Sequence, residues 1–349
     1  MGIRVTLSKF TRKGKFVFLL VLCLCVLAWI AFPSDDTIKY GLSPLDLKHM
    51  EKFTSPEIES EIMQSVEDQT SKQSCPDRSP LLRGALKLTF EPSVTLEQVE
   101  SENVEVVEGQ FSPPDCFARQ SVAILIPYRN REKHLLFFLY HLHPFLQRQQ
   151  LHYGIYVIHQ AGDATFNRAK LLNVGYMEAL KDHNWDCFIF HDVDLIPEND
   201  ENLYVCENQP KHFVVGRNST GYRLKYKGYF GGVSAMTTEQ FHKVNGFSNT
   251  YWGWGGEDDD LRVRIELQKM SIVRPAPEVG RYTMIFHKRD SGNQVNNERM
   301  QLLGKTALMW KKDGLNSCSY KILSVHREPL YINITTDIGQ PERVSLRRA

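Results

Sequence analysis

The sequence predicts an α/β fold with a mostly parallel central sheet covered by helices, carried behind a single N-terminal transmembrane helix and a stem. Three patterns point there. SVAILIPY (121–128) is a continuous apolar run, as a strand buried on both faces requires. From that run onward, strand-like and helix-like segments alternate, the order that builds βαβ units. A separate apolar run, Phe16 to Phe32, stands alone near the N-terminus.

In chain order, residues 1–15 read as a cytoplasmic tail and 16–32 as a transmembrane signal anchor. FVFLLVLCLCVLAWIAF is at the short end of what crosses a bilayer. Arg4, Lys9, Arg12, Lys13 and Lys15 precede it, and Asp35 and Asp36 follow, which predicts a cytoplasmic N-terminus and a lumenal or extracellular remainder. A cleaved signal peptide is the competing reading, but no clear small-x-small site follows the run. So short a span suits a thin secretory-pathway membrane. Residues 33–74 are polar and poor in aromatics, the composition of a flexible stem. A folded lumenal domain is expected over 75–349.

Within that domain the strand at 121–128 is followed by the helical REKHLLFFLYHLHPFLQRQQ, then by YGIYVIHQ as a strand (153–160). An amphipathic helix over 166–182 leads to CFIFHDVD, a third strand with acids at its carboxyl end. Ligands of such sheets bind beyond the carboxyl ends of the strands, so the loops at 127–131 and 192–194 are the places to look.

The chain has 349 residues, 42% of them hydrophobic, enough for a sizeable core. Its 42 basic and 41 acidic residues leave a net charge of +1, so no global field points to a nucleic-acid partner. Cys23 and Cys25 lie in the apolar run; four of Cys75, Cys116, Cys187, Cys206 and Cys318 could pair in an oxidising compartment. No C-x-x-C spacing suggests structural zinc. Sequons at Asn218 and Asn333 fit the same compartment.

Asp192-Val193-Asp194 has the acid-x-acid form that puts two carboxylates near one hard cation. Alone it is a weak signal, but directly after a buried strand it suggests a divalent metal whose shell substrate phosphates complete. Arg129, Arg131, Asn167 and Arg168 gather on the same sheet edge, either as an ordinary solvated loop and helix start or as donors to that phosphate. No G-x-G-x-x-G or P-loop motif is present.

WGWGGEDDD (252–260) sets two tryptophans and three glycines against four acids. Glycine lets the backbone rearrange, tryptophan covers a sugar face, and the acids open a helical DDLRVRIELQKM pattern. Some of these acids are explained by the helix dipole alone, and a catalytic base needs only one. By residue type alone, His287 reads as a structural histidine and Met284 as core.

Taken together, IPYRNREKH, FNRAKLLNVGY, FHDVDLIPEND, YFGGVSAMT, NGFSNTYWGWGGEDDDLRVR and MIFH resemble the vertebrate β-1,4-galactosyltransferases of glycosyltransferase family 7, in order from about Cys75 to Ile338. HFVVGRNSTGYRLKYKGYFGG resembles one subtype in particular. The resemblance implies a GT-A type nucleotide-sugar-binding fold that moves galactose from UDP-galactose to the 4-hydroxyl of terminal N-acetylglucosamine, with inversion and with manganese. It implies a Golgi membrane protein, single-pass type II, with a lumenal catalytic domain. Its products would be N-acetyllactosamine on glycoproteins and glycolipids, the acceptor sugar 6-sulfated in some cases. Modifier-subunit binding is left unassigned.

Carried over by motif, Pro127, Tyr128, Arg129, Asn130, Arg131, Phe166, Asn167, Arg168 and Val193 would contact the nucleotide sugar. Asp194, Met284 and His287 would bind manganese, the thioether being a ligand that hard–soft matching would never select. Trp254 would close over the donor and Tyr229 would set the preference for galactose. Gly256, Glu257, Asp258, Asp259 and Arg299 would bind the acceptor, with Met300 and Leu303 as apolar neighbours and Asp258 as general base. The disulfides would be Cys75 to Cys116 and Cys187 to Cys206, leaving Cys318 unpaired. The rival readings are a transferase with another acceptor, a catalytically idle membrane-anchored sugar-binding protein, and a metal-dependent phosphohydrolase.

Overall fold

The computed structural model describes residues 72–288 and 291–341. The tail, the anchor at 16–32 and most of the stem lie outside the described residues. Among those described, no helix is long and apolar enough to cross a membrane.

The first elements are α1 (Leu96–Glu102) and a two-residue β1 (Gln110–Phe111). Then come β2 (Ser121–Tyr128), α2 (Glu132–Arg148), β3 (His152–Gln160), α3 (Arg168–Asp182) and β4 (Cys187–His191). This is the expected βαβαβ order. Every residue of β2 is buried, and its side chains alternate between two cores. Val122, Ile124 and Ile126 face Leu135, Phe138, Leu139 and Leu142 of α2; Ala123 and Leu125 face Leu171, Leu172 and Val174 of α3. Each such large apolar side chain contributes about 1.5–3 kcal/mol on burial, which is why the strand reads as a solid apolar run. Pro144 lies inside α2 without ending it. The missing amide costs one helical bond, offset by the buried Phe145 and Leu146 that follow.

The rest of the chain adds β5 (Leu195–Pro197), β6 (Lys211–His212), β7 (Gly216–Arg217), β8 (Val233–Thr237) and α4 (Thr238–Lys243). Then follow α5 (Glu257–Leu267), β9 (Arg281–Met284), α6 (Arg299–Met309), β10 (Lys321–Arg327) and β11 (Ile332–Asp337). The main sheet has eight strands, in order β10-β11-β3-β2-β4-β8-β6 with β1 against β3. Here the expected mostly parallel sheet is corrected to a mixed one. Only β11, β3, β2 and β4 are mutually parallel; β8, β6, β10 and β1 run antiparallel to their neighbours. Helical crossovers join β2, β3 and β4 in parallel, β11 reaches its parallel place beside β3 from its antiparallel partner β10, and the connection from β4 to β8 has no long helix to carry a parallel return. A second sheet of three short strands, β5-β9-β7, sits after β4.

Both expected disulfides are present: Cys75–Cys116 and Cys187–Cys206. Cys318 is a free, half-buried thiol, pushed up to about 12 by burial and therefore unreactive.

Candidate active site

The carboxyl ends of the parallel β2, β3 and β4 open into a cavity of about 430 Å³. Asp192 and Asp194 follow β4 directly, where a buried FIF strand delivers them to the sheet edge. The start of β8 lies beside them, because His191 pairs with Val233 and Asp192 N–H donates to the Gly232 carbonyl at 2.9 Å.

The two acids divide the work. Asp192 accepts from Arg168 Nε at 2.6 Å, while burial pushes its carboxyl upward against that cation. Asp194 Oδ2 lies 3.1 Å from His287 Nε2. Burial would raise the Asp194 carboxyl, but the His287 hydrogen bond and nearby cations win and hold it below its usual range. His287 is raised in turn, chiefly by that bond. Its Nδ1 is 2.8 Å from the Lys288 carbonyl and 2.7 Å from Arg131 Nη2. Nε2–H donates to Asp194, and loss of that proton would free the Nε2 lone pair for a cation shared with the carboxylate. Met284 is brought near by the second sheet: it pairs with Leu195, and Ile285 N–H donates to the Asp194 carbonyl at 2.8 Å. Its sulfur instead meets Ser219 Oγ at 3.6 Å and does not line the cavity.

These residues fit a manganese-type ion in donor chemistry: a carboxylate and an imidazole, joined by an adjacent thioether. Among the described residues no cluster of three or more His, Cys, Asp or Glu side chains is arranged for a metal. Any ion here therefore depends on water or phosphate oxygens to complete its shell.

Pro127, Arg129, Arg131, Phe166, Arg168 and Val193 also line the cavity. Arg129 lies over the Phe166 ring at 5.2 Å and donates to the Ala164 carbonyl at 2.6 Å. Three expected donor contacts are placed elsewhere. Tyr128 is buried with its ring against His159. Asn130 is an exposed residue in a left-handed turn, a conformation asparagine tolerates. Asn167 is fully enclosed: it caps α3 through Lys170 N–H and donates to the Asn249 carbonyl at 2.8 Å. None of these three lines the cavity.

The WGWGGEDDD stretch forms the opposite wall. Gly253 N–H donates to the Phe166 carbonyl at 2.7 Å, and Trp254 N–H to the Gln294 carbonyl at 2.8 Å. The loop is thus docked on its neighbours while the Trp254 side chain stays 44% exposed. Gly255 and Gly256 have φ of 104° and 97°, which only glycine adopts easily. The turn then starts α5 without a side-chain cap from Gly256, so its four acids sit at the positive end of the helix dipole, where Asp258 Oδ1 accepts from Asp259 N–H at 3.0 Å.

Those four acids separate. Asp260 turns inward, buried against Arg264 at 2.6 Å and Tyr251 at 3.2 Å, and is structural. Glu257, Asp258 and Asp259 line the cavity. Asp259 accepts from Tyr226 at 2.9 Å. Glu257 is pushed up to about 7 by burial and then by the Asp258 charge, with Arg168 opposing from 3.8 Å. Asp258 is raised by burial and by Asp259. Its Oδ2 occupies the place beside Gly231 where a Cβ would stand 2.3 Å away, so that glycine makes room for the carboxylate.

Tyr229 is buried, lines the cavity and accepts from Arg217; Arg299, first residue of α6, lines it with Met300 and Leu303. Sequence reasoning missed Arg217, Lys225, Tyr226 and Asn293. For the first three the only signal was the run of cations and tyrosines at 217–229, and Asn293 lies outside that run. Of the sequons, Asn218 is exposed after β7, whereas Asn333 sits half-buried mid-strand in β11 with its carboxamide oxygen enclosed. A glycan is sterically easier at Asn218.

Comparison with known proteins places this constellation. Residues 75–207 match the N-terminal region of glycosyl transferase group 7, and 211–288 match the N-terminal domain of galactosyltransferase. The chain is 58% identical to human (Homo sapiens) beta-1,4-galactosyltransferase 4 over 97% of its length and 98% of that protein's. It is 55% identical to human beta-1,4-galactosyltransferase 3 over 77% of its length and 69% of that protein's. The catalytic domain of Drosophila beta1,4galactosyltransferase 7, in complex with xylobiose, superposes with a TM-score of 0.55 at 31% identity, covering 63% of this chain and 94% of that one. A mutant of the same fly enzyme, in complex with manganese, UDP-Gal and xylobiose, gives a TM-score of 0.54 at 31% identity over the same shares of both chains. With family matches across most of the described domain and near full-length identity to curated members, the chain belongs to the β-1,4-galactosyltransferase family.

Proposed function

We propose that this chain transfers galactose from UDP-galactose to the 4-hydroxyl of terminal N-acetylglucosamine, plain or 6-sulfated, with inversion, to make β-1,4-linked N-acetyllactosamine on glycoproteins and glycolipids. The observation that carries this reading is one cavity holding a raised carboxylate, Asp258, across from an Asp194–His287 pair, with Arg131 and Arg168 in its wall. A base for the acceptor and a cationic seat for a diphosphate are what a direct displacement needs.

Asp258 takes the proton from the attacking hydroxyl, its raised carboxyl making it a stronger base than a solvated aspartate. Asp259 and Arg299 orient the acceptor, and Tyr229 bounds the galactose. Arg129, Arg131 and Arg168 neutralise the nucleotide's phosphates, and Trp254 covers the donor and excludes water. Asp194 and His287, with Met284 once its sulfur leaves Ser219, would hold manganese. Bound there, the ion supplies Lewis-acid stabilisation of charge on the departing diphosphate. The same reading makes the protein a type II Golgi membrane protein: tail 1–15, anchor 16–32, stem 33–74 and lumenal domain 75–349.

The test is transfer by the purified full chain in detergent, from UDP-galactose to N-acetylglucosamine, its 6-sulfate and a xyloside, with manganese and with chelator. Manganese-dependent β-1,4 product on N-acetylglucosamine supports the reading. Product on the xyloside alone would replace the acceptor, and no product with a folded, manganese-loaded protein would favour the idle sugar-binding alternative.

A further inference from the structure

The short strand β6 and the segment after α5 carry two side chains, His212 and Arg274, that reach the cavity wall from behind. Neither lines the cavity itself. The backbone sets them side by side: Lys211 bridges Val273 in parallel, His212 N–H donates to the Val273 carbonyl at 2.9 Å, and Val273 N–H donates to the Pro210 carbonyl at 3.0 Å. On its other edge β6 pairs with β8, with His212 opposite Ser234. His212 is therefore held from both sides and fully buried, while Arg274 is half-buried next to it.

Chemistry assigns the protons of this pair. A guanidinium only donates, so Arg274 Nε, 3.1 Å from His212 Nδ1, makes that nitrogen an acceptor. Burial pushes His212 down to about 3, which leaves the ring neutral with a single proton. That proton is on Nε2, which donates to the Gly231 carbonyl at 2.9 Å. The other arm of Arg274 reaches the same stretch of chain: Nη2 donates to the Tyr229 carbonyl at 2.7 Å and to the Lys227 carbonyl at 3.3 Å. Two side chains thus hold three carbonyls between residues 227 and 231, and the arginine fixes the tautomer of the histidine.

The segment they hold bears on the donor sugar. Tyr229 lines the cavity, and the His212 ring meets its ring edge-on, with centroids 5.4 Å apart and planes at 84°. Arg217 donates to the Tyr229 hydroxyl and lies 5.3 Å from the ring centroid, so the tyrosine is gripped at its tip, its face and its backbone. Gly231 is as confined: a Cβ there would stand 2.3 Å from the Asp258 carboxylate and 2.8 Å from the Tyr229 ring. The next carbonyl, that of Gly232, accepts from Asp192 N–H at 2.9 Å. Within four residues the chain passes the tyrosine wall, the candidate base and the acids that follow β4. Such a segment has no slack, and turning either held carbonyl moves the Tyr229 ring relative to the cavity.

We propose that His212 and Arg274 are positioning residues for donor selectivity, setting through the Tyr229 and Gly231 carbonyls how much bulk the transferred sugar can carry. This rests on the galactosyl-transfer reading above, in which Tyr229 bounds the galactose, and adds the pair that holds this wall in place.

The experiment compares UDP-galactose with UDP-N-acetylgalactosamine, the same sugar with an acetamido group in place of the 2-hydroxyl, on the full chain with manganese and N-acetylglucosamine. Transfer gives the ratio of kcat/KM for the two donors, equilibrium binding gives the ratio of their Kd values, and thermal melts give Tm. The wild type is expected to favour UDP-galactose. His212→Asn keeps an acceptor for Arg274 but is too short to reach Gly231, and Arg274→Gln takes the cation from the Tyr229 carbonyl. Each should lower the donor ratio about tenfold, as the loss of a buried hydrogen bond does. His212→Gln, whose carboxamide nitrogen stands about where Nε2 does, should restore most of the ratio, and Arg274→Lys part of it. If His212→Asn does not fold, the two variants of the half-buried Arg274 decide. Variants that lose Tm and act on both donors alike, with the ratio unchanged, would reduce the pair to support of the fold and overturn the proposal. A wild type that distinguishes the donors neither in binding nor in transfer would also overturn it. Donor discrimination in binding that depends on His212 and Arg274, without transfer to any acceptor, would uphold the positioning and defeat the transfer reading.

Discussion

At the scale of single residues, two neighbouring acids carry opposite consequences. Asp258 works only when ionised, and its carboxyl is raised by burial and by Asp259. Activity is therefore lost as pH falls through a value above the ordinary carboxylate range. The acid limb of kcat/KM is expected there, and Asp258→Asn should lower kcat by about a hundredfold or more while UDP-galactose binding survives; normal turnover in that variant contradicts the assignment. Glu257 is pushed up to about 7 from an ordinary 4.5 by burial, so the folded state holds its proton over a window in which the unfolded chain has released it. Stability contributed in this way is present below about 4.5 and lost as pH rises toward 7. Glu257→Gln should raise Tm at pH 8 by several degrees and have little effect at pH 5, read by thermal melts. A rise at pH 8 that comes with weaker acceptor binding would mean the site holds this charge at the expense of stability.

At the scale of elements, the glycine pair before α5 separates two effects. Gly255 and Gly256 both have φ near 100°, which costs a substituted residue about 1–3 kcal/mol. An added Cβ at Gly255 meets nothing closer than Arg299 Cδ at 3.3 Å, but at Gly256 it meets the Tyr251 ring at 2.8 Å and Arg299 Cβ at 3.1 Å. Gly256→Ala should lower both Tm and acceptor affinity more than Gly255→Ala; equal effects would mean that backbone strain alone matters. This turn also marks where sequence reading stopped. β2, β3, α3 and α5 were legible because their burial is periodic or continuous over many residues. The pairing of β5, β7 and β9 was not, since strands of two to four residues carry no period and their partners are distant in sequence. For the same reason His287 and Met284 read as structural by residue type, and only the family resemblance brought them to Asp194. Asp260 could not be told from Asp258 by sequence, because which acid of a first turn faces inward is decided by Arg264 and Tyr251.

At the scale of the whole molecule, the two disulfides test whether stability lies in the denatured chain or in the packed core. Cys75–Cys116 spans 41 residues and Cys187–Cys206 spans 19. Chain entropy alone makes the longer loop the more stabilising, by about 0.7 kcal/mol out of roughly 3–4 kcal/mol each. Packing argues the reverse. Cys187 is the first residue of β4, fully buried, and paired across to Val122 and Thr237 in the middle of the sheet. Cys75 is also buried, but it lies near the start of the described domain, where Ser74 bridges Phe117 at the periphery. Losing the Cys187–Cys206 bond leaves unfilled volume in the layer that delivers Asp192 and Asp194 to the cavity, and cavities add their own cost. Replacing both cysteines of each pair by alanine in the full chain should therefore destabilise more at Cys187 and Cys206 than at Cys75 and Cys116, and only the former should raise KM for UDP-galactose. The reverse order of Tm, with KM unchanged in both, would show that these bonds act through the unfolded chain and that the sheet edge holds the site without them.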